Sequence, residues 1–136
     1  MNFLLDTNAC IALINKRPIS VRERFTRELG AGSQMLVSSV SVFELLYGAE
    51  KSSHRDGNEQ AINALLSSVS ETVPFDNEDA RAAGRIRAAL ERSGSPIGPY
   101  DLLIAAQAHQ RDLIVVTANE REFRRVPGLR WENWAR

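Results

Sequence analysis

The sequence predicts an α/β domain in which a central, mainly parallel sheet of four to five strands carries helices on both faces. Three observations predict it. Short apolar runs of strand length alternate along the chain with longer stretches of helical period. The run Leu113-Ile114-Val115-Val116 is β-branched and lacks polar alternation, as expected of a strand covered on both faces. The 136 residues, 43% hydrophobic and 25% charged, suffice for one core, so residues 1–136 are expected to form a single domain. In sheets of this kind the functional crevice opens at the carboxyl ends of the strands.

Each element follows from local signals. Phe3-Leu4-Leu5 supplies the first strand, and Asp6-Thr7-Asn8 starts a helix continuing over 9–14. Pro18 suits the first turn of a second helix to about residue 29, where Gly30 and Gly32 stop it. Met35-Leu36-Val37 is the next strand, followed by a helix over 41–51. Residues 52–58 are polar and turn-like, 59–68 read as helix, 71–74 as a short strand and 77–92 as a long helix. Ser93-Gly94-Ser95-Pro96-Ile97-Gly98 breaks that helix. Pro99 then opens another that runs to His109 or beyond, before the strand at 113–116.

Composition excludes several classes of function. The single cysteine, Cys10, has no partner for a disulfide or a structural zinc site and fits a reducing compartment. The two histidines, His54 and His109, show no HxxxH or HxE arrangement, which argues against imidazole catalysis. No apolar run approaches the roughly 20 residues of a membrane span, and MNFLLDTN has no secretory character, so a cytoplasmic protein is expected. The 17 basic residues balance 17 acidic ones. Any polyanion must therefore be held by local patches.

Three acids stand at inferred ends of elements on one edge of the sheet. Asp6 ends the first strand, Glu44 is expected in the first turn of the helix after the second, and Asp101 in the first turn of the helix opened by Pro99. Each has a structural alternative: Asp6 as a helix cap, Ser41-x-x-Glu44 as a capping box, Asp101 as a dipole partner. The apolar Leu102-Leu103-Ile104-Ala105-Ala106 after Asp101, however, buries a carboxylate that needs a partner, and a cation is one. Hard divalent ions, Mg²⁺ or Mn²⁺, take such oxygen ligands, and metal-assisted hydrolysis of a phosphate ester is the matching chemistry. Asn119, after the last strand, could complete the ring as a neutral oxygen ligand or by orienting water, with Glu120 as an acidic neighbour. Asp76, Glu78 and Asp79 read as capping and dipole partners of their helix.

These segments resemble a known family. Leu4-Leu5-Asp6-Thr7-Asn8, residues 41–51 from Ser-Val-Phe-Glu to Ala-Glu-Lys, residues 97–106 around Pro99-Tyr100-Asp101, and Val116-Thr117-Ala118-Asn119 are similar, in order and spacing, to the signatures of PIN-domain toxins of the VapC type. The resemblance extends to Phe123-Arg124-Arg125-Val126-Pro127-Gly128-Leu129 and Trp134. It implies a PIN-like domain and a Mg²⁺-dependent endoribonuclease acting on RNA, with tRNA among the candidates. It also implies inhibition by a VapB-like antitoxin, and a homodimer within a larger complex that binds operator DNA through that antitoxin. Asp6 and Asp101 fall on the family's metal ligands, Glu44 on its third acid, and Asn119 where many relatives place a fourth. A second ion about 3.5 to 4 Å from the first would then depend on Asn119 and substrate. Arg121, Arg124 and Arg125 are candidates for flanking phosphates. Two other readings are a structure-specific DNA nuclease, disfavoured by small size, and a non-catalytic antitoxin-binding co-repressor module, which would have no reason to bind Mn²⁺ at the acids.

Overall fold

The computed structural model describes residues 1–136. In chain order the elements are β1 (Asn2–Leu5), α1 (Thr7–Asn15), α2 (Ile19–Gly30), β2 (Gln34–Ser38), α3 (Ser39–Lys51), α4 (Arg55–Ser68), β3 (Glu71–Val73), α5 (Asn77–Arg92), α6 (Pro99–Arg111), β4 (Ile114–Val116), α7 (Glu120–Phe123) and β5 (Trp131–Glu132). The strands form one sheet in the order β3-β2-β1-β4-β5, and every pairing is parallel. The expected four to five mainly parallel strands are five, all parallel.

Alternation along the strands divides the core into two layers. Phe3, Leu5, Met35, Val37, Ile114 and Val116 face one way, into a core completed by residues of α1 to α4 such as Phe25, Leu45 and Ile62. Leu4, Leu36 and Val115 face the other way, against Leu90, Ile104 and Phe123 of α5, α6 and α7. With both faces covered, the three central strands are apolar apart from Asn2, Gln34 and Ser38 at their ends, the pattern of a buried parallel sheet. The order of strands reverses beside β1: the chain moves from β1 outward to β2 and β3, then returns on the other side with β4 and β5. A crevice therefore opens beyond the carboxyl ends of β1 and β4.

Several boundaries depart from the sequence expectation. Ser38, not Ser41, caps α3 by accepting the Val40 N–H at 3.1 Å, so the helix starts two residues early and Glu44 lies in its second turn rather than its first. The Ser41-x-x-Glu44 capping box is thereby ruled out. The polar stretch expected to be a turn over 52–58 already enters α4 at Arg55. The sequence reading also missed α7 and β5, which are four and two residues long and too short to show a period. No helix is long and apolar enough to cross a membrane.

The acids at the start of α5 are structural. Asp76 and Asp79 form a reciprocal capping box, with N–H to carboxylate distances of 3.0 and 2.9 Å. Asp79 is fully buried, and Arg111 donates to both of its oxygens at 3.1 and 2.9 Å while Gln107 donates at 3.0 Å. Burial pulls this carboxyl upward, but the Arg111 guanidinium and the other donors outweigh it and hold the group below its ordinary value. The same Arg111 and Gln107 donate to Pro74 O, so the network ties the end of β3 to α5 and α6.

Asp79 is fully buried while Arg111 is about a third exposed, so removing Arg111 leaves a buried carboxylate uncompensated, at a cost of about 3 kcal/mol. Arg111→Met should therefore lower the melting temperature by roughly 10 °C, read by circular dichroism and urea unfolding. A loss under about 1 kcal/mol would show that the network is not a stabilising tie.

Candidate active site

Asp6 is the first residue after β1, and the sheet holds it by both backbone and side chain. Its N–H donates to Val116 O of β4 at 3.0 Å, and its carboxylate caps α1 by accepting the Ala9 N–H at 2.7 Å. Only 1% of the residue is exposed. Burial pushes the carboxyl from the ordinary 3.8 up to about 6, against the Thr117 hydroxyl and the Ala9 and Asn8 N–H groups, while the nearby charge of Glu44 adds to the rise. Thr117 directly follows β4, so two adjacent strand ends meet at this one side chain.

Asp101 lies in the first turn of α6, half-buried. Burial raises its carboxyl most. Glu122 adds to the rise by accepting a hydrogen bond from the protonated form and by its charge, and Asp6 adds a further charge. The Asn119 amide opposes this, donating to Asp101 Oδ2 at 3.0 Å and also to Glu122 Oε2. Glu122 in turn accepts the Gly98 N–H, which with the Asn119 contact holds its carboxyl below the ordinary range. A proton shared between these two acids therefore belongs on Asp101.

Glu44 approaches from α3 and is fixed by α1. The Thr7 hydroxyl hydrogen-bonds Glu44 Oε1 and lies 3.0 Å from the Ser41 hydroxyl, which is itself fully buried. Asp6 thus feels the charge of Glu44 and acts in turn on Asp101, which has Asn119 and Glu122 beside it. As the side chains stand, no three acidic, histidine or cysteine groups converge on one point. Asp6, Glu44, Asp101 and Glu122 are nonetheless an all-oxygen, all-carboxyl set with no arginine or lysine among their hydrogen-bond partners. The charge and hardness of that set suit Mg²⁺ or Mn²⁺.

Two site residues differ from the sequence expectation. Asn119 presents its amide nitrogen, not its oxygen, to both acids and holds their carboxylates in place. Glu120 points elsewhere, accepting from Asn133 at 2.8 Å and pairing with Arg136. The acid that reaches the site from this segment is Glu122, which the sequence reading missed. One turn of α7 separates Asn119 from Glu122, and an i, i+3 spacing across a helix start was the signal available. Among the basic candidates, Arg121 and Arg124 are exposed, whereas Arg125 donates to Pro96 O at 2.7 Å and braces the loop before α6. His109 lies in the last turn of α6 beside Gly128, and His54 precedes α4.

The chain is similar to known proteins over nearly its whole length. Residues 3–129 match the PIN domain family. The tRNA(fMet)-specific endonuclease VapC of Shigella flexneri is 47% identical over 135 residues, 99% of each chain. Among solved structures, the DNA-bound VapBC of Salmonella typhimurium is similar with a TM-score of 0.90 at 43% identity, covering 98% of both chains. VapBC2 of Rickettsia felis, bound to a DNA fragment from its promoter, gives 0.92 at 35% identity, covering 98% of this chain and 99% of that one.

The electrostatics of the acids carry a pH dependence. Between the ordinary 3.8 and about 6, folded Asp6 keeps a proton that the unfolded chain has released. Stability therefore falls as pH rises through that window, and the penalty is complete above it. Glu28, Asp79, Glu120 and Glu122, whose carboxyls are lowered, act in the opposite sense, at more acid pH. In EDTA, Asp6→Asn, which keeps a capping side chain, should melt above the parent protein at pH 8 and lose that advantage at pH 4. Thermal melts at the two pH values measure it, and an unchanged difference would remove the charge argument.

Proposed function

Since the chain belongs to the PIN-domain family and to its VapC type, we propose that it is the toxin ribonuclease of a VapBC-like pair, cutting RNA by divalent-metal-dependent hydrolysis at Asp6, Glu44 and Asp101. The observation that carries the reading is the gathering of buried and half-buried carboxylates at the strand-order reversal with no arginine or lysine hydrogen-bonded to any of them. Acids perturbed by burial and by each other's charge in such a crevice are candidates for a functional site. The identity of the Shigella relative supports RNA as substrate and tRNA as the class to test first.

Asp6 and Asp101 are the residues we assign to hold Mg²⁺ or Mn²⁺, with Glu44 and Glu122 completing the acidic set. When bound, such an ion supplies charge that polarises a phosphate and makes water more acidic. The protein's own part is positional. Thr117 and the α1 amides orient Asp6, Thr7 orients Glu44, and Asn119 with the Gly98 N–H fixes Glu122 against Asp101. Water as the nucleophile leaves the RNA 2′-hydroxyl without a required role.

The partner we propose is a VapB-like chain, through which a toxin pair assembles on operator DNA, as the DNA-bound relatives suggest. A groove of about 480 Å³, lined by Leu13, Ile14, Phe25 and Leu65 together with Lys16 and Arg22, lies between α1, α2 and α4. A second hollow of about 220 Å³ shares Ile14 and reaches Glu44. A peptide laid along both would bring an Arg or Lys to the acids, where it would stand in for metal charge.

Asp101→Asn and Glu44→Gln should each cut divalent-dependent cleavage by about a hundredfold or more while leaving the circular dichroism unchanged. Full activity in Asp101→Asn would sink the assignment. Products should carry 5′-phosphate and 3′-hydroxyl ends by mass spectrometry, and one 2′-deoxy sugar at the cut should be tolerated. Cyclic 2′,3′-phosphate products, with cleavage blocked by that sugar, would exclude hydrolysis. Inhibition by the partner should weaken when its Arg and Lys residues are neutralised. A fragment without any of them that inhibits fully would exclude the cation mechanism.

A further inference from the structure

The turn that carries Asn119 and Glu122 to Asp101 is supported from outside the site. Asn119 spends its side chain on the two acids, so α7 starts without a side-chain cap. A single helical turn does not keep its shape unaided. Phe123, fully buried, seats the far end of α7 in the core. The near end is held from β5 and the residues after it. The Thr117 N–H donates to Glu132 O at 3.0 Å, and the Thr117 hydroxyl accepts the Asn119 N–H at 2.9 Å. The Asn133 amide donates to Glu120 Oε2 at 2.8 Å, and Arg136 pairs with the same carboxylate.

The segment that does the holding is itself firmly placed. Trp134 is 3% exposed, edge-on to Phe3 of β1 at 5.1 Å, with the Arg24 guanidinium 5.2 Å from its ring centre. Glu132 accepts from Trp134 Nε1 and from Arg24, each at 2.9 Å. Asn133 Oδ1 accepts the Ala135 N–H at 2.8 Å, so the two ends of this amide are committed to different tasks, one to its own turn and one to α7. We propose that Asn133 is a positioning residue: through Glu120 it sets how α7 presents Asn119 and Glu122 to Asp101. Glu120, which turns away from the acids, thereby serves the site from behind, and residues 131–136 belong to its scaffold. The chemical consequence rests on the reading of the acids as a metal site, where groups that orient ligands from outside change metal affinity or rate by about ten- to a hundredfold when removed.

The test is a swap of donor and acceptor in the full chain. Asn133→Asp keeps the oxygen that accepts the Ala135 N–H but turns a carboxylate toward Glu120. Adding Glu120→Gln restores the bond with its direction reversed. In EDTA, nuclear magnetic resonance of the Asn119 side-chain amide, which two carboxylates share, reports the site without metal or substrate. The single variant should shift that signal and the double variant should return it. Calorimetry with Mn²⁺ should show affinity about tenfold lower in the single variant and within about twofold of the parent in the double. Cleavage should lose kcat by a similar factor with KM little changed. Should Asn133→Asp fail to fold, Glu120→Ala removes the same bond from the other side and should shift the same signal. A lower melting temperature with an unmoved Asn119 signal makes the pair a plain structural tie and overturns the proposal. So does a shift that the double variant leaves in place. The two readings fail separately. A parent that binds Mn²⁺ and cuts RNA, with variants indistinguishable from it, removes the positioning role alone. An Asn119 signal that follows the swap in a protein that neither binds Mn²⁺ nor cuts RNA supports the positioning role and removes the metal reading.

Discussion

A carboxylate that the backbone will not release to water is the constraint around which this edge of the sheet is arranged. Asp6 follows a strand buried on both faces, its N–H is committed to β4, and its side chain caps the next helix. It cannot turn outward without undoing the start of α1. The contrast with Asp79 is instructive because the two are equally buried. Asp79 has a guanidinium and an amide on its oxygens, and its carboxyl is held low. Asp6 has hydroxyl and backbone donors but faces other acids, and its carboxyl is driven up. One is a solved electrostatic problem and ties helices together. The other is an unsolved one, and a site for a cation is its natural completion.

The second half of the edge depends on a short piece of chain. After β4 the backbone turns through Asn119 into the single turn of α7, and this sets the amide and Glu122 on the same side, facing Asp101. Gly98 closes the arrangement from the other direction: its N–H goes to Glu122, and a Cβ there would meet Glu122 Oε1 at 3.5 Å and Asp101 Oδ2 at 4.0 Å. The Glu122 charge is thus anchored by a backbone donor while its pressure falls on Asp101. Division of labour between two like groups, one held ionised and the other raised, follows from where the donors are.

Much of this could be read from the sequence, and the failures have physical causes. The continuous apolar runs at 3–5, 35–37 and 113–116 announced buried parallel strands, and Pro99 announced α6, because each signal is local. Asp6 and Asp101 were legible for the same reason: strand end and helix start fix where a side chain emerges. Glu44 was placed at the right edge but in the wrong turn, since Ser38 and Ser41 are both good caps and only the register of β2 decides between them. Glu122 was invisible because its role depends on a four-residue helix and on Gly98, 24 residues away. Asn119 was found, but not the side of its amide that meets the acids. An amide offers both an oxygen and a nitrogen, and the carboxylates on either side choose the nitrogen.

The same charge arrangement bears on how two opposite ligands could use one edge. Without a cation, four acids repel an RNA phosphate and attract a basic peptide. With a divalent ion among them, that preference weakens or reverses. A chain with balanced charge overall, 17 basic against 17 acidic residues, gains little from long-range attraction to RNA, so local occupancy of the acids has an outsized effect on which partner enters. The apolar groove along α1 shares Ile14 with the hollow that reaches Glu44. A peptide seated there would gain most of its contact area from the groove and meet the RNA at the charged centre. Under the proposed reading, competition at that centre is sufficient for inhibition, and no conformational change in the sheet is required to produce it.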